Sequence, residues 1–324
     1  MKKKLLITTG LPKGLLVLLI AFLVMRQTEP QPWEVPEAEP ETLTMQTVQE
    51  VWAYYETIGY TSDKLAGGKV EVPRIYLDAI VDNWITNEPV STKKSLFYRT
   101  MLPLVLRVNE LIEGERRYLY VVIETFRGGD DPGEDDRAWL KKLAVRYKIL
   151  KKNQELELTE EFFAKILLRV DTIPVSMALG QMAYESAYAT SRFAGEGNAL
   201  FGQWCWETGM LPAEQREDKG DYRIAGFPTP IDSVKAYAMN INTHGAYRDF
   251  RLARSGQRGR NNKSLDGYSL VANLERYSEK GEEYVRILQG IISHNQLSAF
   301  DEARLSRSRP VILNPRQKGS SGEG

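Results

Sequence analysis

The stretch Asp171-Thr-Ile-Pro-Val-Ser-Met-Ala-Leu-Gly-Gln-Met-Ala-Tyr-Glu-Ser-Ala-Tyr-Ala-Thr-Ser-Arg-Phe-Ala194 decides how this chain is read. Pro174 suits the first turn of a helix, where its missing N–H is no loss, and Val175, Ala178 and Met182 then recur at spacings of three and four. Three positions further on, the same stripe reaches Glu185. A carboxyl group on an apolar stripe points into the interior or a cleft wall, where desolvation disfavours its charged form and raises its pKa. Such a group can hold a proton near neutral pH and pass it to a leaving oxygen, the arrangement used in glycoside hydrolysis. Taken alone, a helical Glu is more often solvated or salt-bridged, so the residues that follow have to carry part of the argument.

They run Ser191-Arg-Phe-Ala-Gly-Glu-Gly-Asn-Ala-Leu-Phe-Gly-Gln-Trp-Cys-Trp206. Gly195, Gly197 and Gly202 allow tight turns, Asn198 can lock a loop through its side chain, and Phe201, Trp204 and Trp206 offer flat faces on which sugar rings could stack. At this point the sequence resembles the glucosaminidase family of bacterial peptidoglycan hydrolases, within the lysozyme-like superfamily. The resemblance rests on the helix end Ala183 to Ser186, the segment Thr190 to Ala194 and the Asn-x-Leu-Phe-Gly turn from Asn198 to Gly202. It extends to Phe227, Ser233 and Tyr237, which look like a strand-to-helix return, and to the Tyr-x(6)-Tyr element of Tyr277 and Tyr284. The upstream segments beginning Val72-Pro-Arg-Ile-Tyr-Leu and Leu102-Pro-Leu-Val-Leu-Arg-Val are similar to a Bax-type branch of the family, a bacterial envelope group.

The resemblance implies a mainly α (α+β) lysozyme-like domain with a small β-lobe at about residues 203 to 230. It implies Glu185 as catalytic acid and Tyr277 as an active-site tyrosine. A second acid is expected from Glu207, Glu214, Glu217, Asp218 or Asp221 on that lobe, with Glu214 and Glu217 ranked first because they lie ten to thirteen residues before Phe227. Tyr188, Asn198, Phe201, Trp204 and Trp206 are expected to bind the glycan. The sequence departs from the family pattern after Phe201-Gly202, where Gln203-Trp204 replaces a common Ile-Lys, and in having Cys205 on the lobe. Cys205 is read as a packed thiol, and His244 and His294 as capping or packing residues. The activity implied is cleavage of the β-1,4 bond between N-acetylglucosamine and N-acetylmuramic acid. A lytic transglycosylase and a catalytically silent wall-binding scaffold are the alternatives.

Composition is consistent with this chemistry and excludes others. The 324 residues carry 43 Lys+Arg and 43 Asp+Glu, so a zero net charge gives no reason to expect nucleic-acid binding. Two His and one Cys cannot build a zinc site of the usual kinds or an internal disulfide. No metal and no cofactor are expected, and chemistry falls to carboxylates, hydroxyls and aromatics. The implied partner is the peptidoglycan glycan strand.

Lys2, Lys3 and Lys4 precede an apolar stretch broken by Lys13 and then continuous from Gly14 to Met25. Twelve helical residues span only about 18 Å of a roughly 30 Å hydrocarbon layer, whereas Leu5 to Met25 would cross it with Lys13 as a costly passenger. With no small-x-small cleavage site after Met25, residues 1–26 are read as an uncleaved signal anchor in the inner membrane, with the remainder in the periplasm. Signal cleavage to a soluble periplasmic form is the alternative. Residues 27–45, rich in Pro and Glu, read as an extended tether. Residues 46–164 read as a helical subdomain in which Ser91 caps a helix that Pro103 kinks or breaks, and Thr159 caps a later one. Asp130, Asp131, Glu134, Asp135 and Asp136 sit where acids complement a helix dipole, a commoner role than calcium binding. By the resemblance, residues 165–302 are expected to form the glucosaminidase domain, and the Arg-, Ser- and Gly-containing residues 303–324 read as a disordered tail.

Overall fold

A computed structural model describes residues 37–65, 71–81, 84, 88–206, 209–212, 221–261 and 264–315. The expected signal anchor and the candidate acids Glu207, Glu214, Glu217 and Asp218 lie outside these residues. Among the described residues, no helix is long and apolar enough to cross a membrane.

The chain is mainly α with small sheets. It begins with β1 (Glu41–Thr44) and α1 (Val48–Thr57), then β2 (Glu71–Val72) and β3 (Ile75–Leu77). The helices α2 (Val90–Arg127), α3 (Glu134–Arg146), α4 (Glu160–Arg169), α5 (Val175–Glu185) and α6 (Arg192–Gly197) follow. The lobe strands β4 (Trp204–Cys205) and β5 (Arg223–Ile224) precede α7 (Pro230–Thr243), α8 (Arg248–Asn261) and α9 (Glu282–His294), and β6 (Arg304–Leu305) and β7 (Val311–Asn314) close the fold.

The 38-residue α2 is the spine. Residues 96 to 106 are buried on every side, which the sequence allows because that stretch is nearly all apolar. Its first half packs in a core shared with α1, α5, α7 and α9, and its second half with α3 and α4 in another. The expected subdomain 46–164 therefore has no core wholly of its own. The expected break at Pro103 does not occur, and α2 runs through it. Proline removes the N–H that the carbonyl of Arg99 would have accepted, and the hydroxyl of Tyr60 supplies the missing donor at 3.0 Å. The cap of α2 is Pro89 rather than Ser91. Thr159 does cap α4, accepting from the backbone of Phe162 at 3.1 Å.

Both expected extended ends need correction. Glu37 is ion-paired with Arg74 at 2.5 Å and Arg107 at 3.2 Å, and β1 follows at once, so the tether reading fails from residue 37 onward. The reading of 303–324 as a tail fails as far as residue 315: β7 lies between β1 and β3 in a parallel sheet, with Leu313 fully buried. Glu41 pairs with Val311, and Ile75 with the same residue on the other side.

Helix α5, buried from Val175 to Ala183, is held firmly at its start. Asp171, just ahead of it, is buried and bonded to Arg258 at 2.7 Å, with Arg254 at 3.5 Å. Burial alone would raise its pKa, but Arg254, Arg116 and Arg258 reverse this and hold the carboxyl below its ordinary range. Asp301 accepts from both the backbone N–H (2.8 Å) and the hydroxyl (2.7 Å) of Ser176 in the first turn. With one end so fixed, the position of the other end, Glu185, is fixed as well.

Candidate active site

Glu185 is the last residue of α5, half-buried where the helix leaves the core. The next residue, Ser186, is fully buried and works in two directions. Its hydroxyl donates to the carbonyl of Met182 at 2.6 Å and accepts from the N–H of Ala189 at 2.8 Å. Between them Ala187, Tyr188 and Ala189 all adopt left-handed backbone, with φ of 50°, 59° and 62°. Three consecutive non-glycine residues in that region cost roughly 1–2 kcal/mol each, and Ser186 is the side chain that ties the turn down. The chain thus leaves the helix abruptly just after Glu185.

The carboxyl of Glu185 accepts from the hydroxyl of Tyr284 at 2.7 Å. Behind Tyr284 stands Gln181, whose amide N–H donates to the Tyr284 oxygen at 3.0 Å while its amide oxygen accepts from Tyr237 at 2.5 Å. Burial pushes the pKa of Glu185 up, opposed by the Tyr284 hydrogen bond and the charge of Lys280. Tyr277 stacks on Tyr284 with ring centroids 5.6 Å apart and planes 5° apart. Its hydroxyl reaches the carbonyl of Phe201 at 3.5 Å, and burial followed by the Glu185 charge holds it well above the usual phenol range. Tyr277 is therefore beside Glu185, but the direct partner is Tyr284. Sequence reasoning missed Gln181, although its spacing of four before Glu185 puts it on the same helix face.

The Asn-x-Leu-Phe-Gly turn is built by four residues of the return segment. Phe227 and Pro228 present carbonyls to the Asn198 amide at 3.0 and 3.2 Å, the Ser233 hydroxyl accepts from the N–H of Leu200 at 3.1 Å, and Tyr237 stacks on Phe201 at 3.9 Å. Asn198 also accepts from the N–H of Ile80 at 3.2 Å. Its amide is consumed by backbone, so its role is to shape the turn, and the expectation that it binds glycan is not met by its surroundings. Phe201 is 2% exposed and cannot offer a stacking face. The turn ends at Gly202, with φ +58°, where an added Cβ would lie 3.8 Å from Oε2 of Glu185.

Trp204 and Trp206 fit the expected platforms better, being 40% and 67% exposed on the β4–β5 lobe. Trp204 leans on Tyr222 at 4.4 Å. Tyr188, half-buried, packs edge-on against Phe97 at 5.3 Å. Asp221 is exposed, and Cys205 sits partly buried with its thiol directed at the carbonyl of Arg223. His244 caps, its Nδ1 accepting from the N–H of Ala246 at 3.2 Å. Among the described residues, no cluster of His, Cys, Asp and Glu is arranged to hold a metal ion.

Comparison with known proteins agrees with this geometry. The sequence model of a family described as Glucosaminidase, mannosyl-glycoprotein endo-beta-N-acetylglucosaminidase, matches residues 161–297. The chain is 33% identical over 204 residues to Protein bax of Escherichia coli (strain K12), covering 63% of this chain and 70% of that protein. No solved structure gives a significant match.

Proposed function

Because this chain belongs to the Bax-type glucosaminidase family, we propose that it is a peptidoglycan hydrolase with Glu185 as its general acid. The observation that carries the reading is the carboxyl of Glu185, desolvated at the end of a buried helix, its pKa raised, beside a turn that ends in glycine. The substrate would be the glycan strand, and the bond the β-1,4 link between N-acetylglucosamine and N-acetylmuramic acid. Glu185 would protonate the leaving oxygen while the oxocarbenium-like carbon is met by water or by the substrate's own acetamido oxygen. Trp204, Trp206 and Tyr188 would line the path of the strand. Glu214 or Glu217 would activate the water if a lobe carboxylate takes part, and Tyr277 would orient the water or acetamido group if it does not.

A second reading has one observation in its favour. The titratable groups interacting with Glu185 among the described residues are Tyr237, Tyr247, Tyr277, Tyr284 and Lys280, and none is a carboxylate. A lytic transglycosylase needs only one acid and would fit that arrangement. Mass analysis of soluble muropeptides, released from purified sacculi by the full chain, separates the two. Hydrolysis leaves a reducing-end sugar and transglycosylation a 1,6-anhydro ring, while the absence of any product would leave a wall-binding scaffold.

The proposed site of action is the periplasm, with residues 1–26 as a signal anchor and the soluble form after cleavage as the alternative. The N-terminal sequence of the mature protein distinguishes these. A start at Met1 supports the anchor, and a start near residue 26 supports cleavage.

A further inference from the structure

We propose that Tyr237, Gln181 and Tyr284 form a one-way chain of hydrogen-bond donors that places the acidic proton of Glu185 on Oε2, the oxygen facing Gly202. The inference rests on the reading of Glu185 as the acid and goes on to say which oxygen does the work.

The direction follows from donor chemistry. Tyr237 donates to the amide oxygen of Gln181 at 2.5 Å, which leaves the amide nitrogen facing Tyr284 at 3.0 Å. An amide N–H₂ can only donate. It therefore occupies a lone pair on the Tyr284 oxygen, and the phenolic proton of Tyr284 turns to Oε1 of Glu185 at 2.7 Å. An oxygen that accepts this proton cannot also direct one of its own at the same hydroxyl. In the neutral acid, Oε1 is then the carbonyl oxygen and Oε2 the hydroxyl. Gln181, Tyr237 and Tyr284 are each at most 1% exposed, so water does not compete for these bonds.

Oε2 lies on the Gly202 side of the carboxyl. An added Cβ at Gly202 would sit 3.8 Å from it, and the glycine, at φ +58°, leaves that side free of a side chain. The other titratable groups facing the carboxyl are Tyr247, Tyr277 and the exposed Lys280. The tyrosines stay neutral because burial raises their pKa values, and Lys280 keeps its charge. In this arrangement Gln181 and Tyr284 are positioning residues that act through Glu185.

Two measurements on the full chain test this. The first is the pH profile of kcat and KM on solubilised glycan strands for Tyr284→Phe and Gln181→Glu. An ionised carboxylate at position 181 accepts from both tyrosines and donates to neither, so it reverses the chain. Each variant is expected to lose tenfold or more in kcat with KM little changed. The alkaline limb should move to higher pH, because the lost hydrogen bond had favoured the carboxylate. A folded variant with lower activity but an unmoved limb overturns the proposal, and so does a limb moved to lower pH, the shift expected of a packing defect that admits water to Glu185. The second is the infrared difference spectrum of the unmodified chain against Glu185→Gln, which needs neither positioning variant to fold. A hydrogen-bonded carbonyl stretch, lowered in frequency, supports Oε2 as the hydroxyl, and a free carbonyl stretch overturns it. Retained activity in Glu185→Gln would instead remove the acid reading itself.

Discussion

The hydroxyl of Tyr60 donates to the carbonyl of Arg99 across 3.0 Å, replacing the helical donor that Pro103 lacks. Both residues are buried, so without the Tyr60 hydroxyl the carbonyl would lose this bond away from water. Tyr60→Phe is expected to cost roughly 1–3 kcal/mol in denaturant unfolding. In a Pro103→Ala background, where residue 103 regains its N–H, the same substitution should cost clearly less. Equal losses in both backgrounds would show that the hydroxyl does not serve this carbonyl.

Glu185→Gln should lower wall-degrading activity on the order of 10² or more, because the amide keeps the shape but delivers no proton. The same variant should gain stability at neutral pH. Burial raises the folded-state pKa of Glu185 above its unfolded value, so the group favours the folded state when protonated. That contribution is fully present below the unfolded pKa and is lost as pH rises through the folded one. The gain in the variant should therefore be largest at pH 7 and shrink toward pH 4, as read from melting curves across that range.

Gly202→Ala is expected to lose activity and roughly 1–2 kcal/mol of stability, the cost of a left-handed backbone for an L-residue. The new methyl would stand 3.8 Å from Oε2 of Glu185. Activity should fall further than the stability loss explains, which kinetics on the fully folded variant at low temperature can establish.

The second acid can be sought by three variants assayed on one defined glycan polymer. If a lobe carboxylate activates water, Glu214→Gln or Glu217→Gln should lose about 10²- to 10⁴-fold. If the acetamido group supplies the push, both should lose far less and Tyr277→Phe should be the harsher change. Near-unmodified rates in all three would remove both mechanisms.

Truncation after Glu302 should leave the chain insoluble or partly unfolded, since it deletes the central strand of the β1-β7-β3 sheet. Truncation after Pro315 should leave the melting temperature unchanged. Comparable melting curves for the two would contradict the sheet assignment.

Much of this was legible along the chain because it is local. The stripe from Val175 to Glu185 and the Thr159 cap follow from spacing alone. What escaped the reading depends on partners far away. Pro103 looks like a break until Tyr60 is seen beside it. Phe201, in a glycine-rich loop, looks like a sugar platform until Tyr237 covers its face. The run Val311-Ile-Leu-Asn314 is too short for a periodic signal, and only Leu313 among its residues is fully buried, so the surrounding Arg and Ser dominated its composition.

The clasp between the two ends of the fold also governs when the fold can be completed. The side chain of Arg309 bonds the backbone of Glu39 across 270 positions, alongside the parallel pairing of β1 with β7. Helices can form on the nascent chain as they emerge, but contacts of this sequence separation close last and slowly. Until the ribosome has delivered residue 314, the sheet lacks its middle strand and the chain remains unlatched.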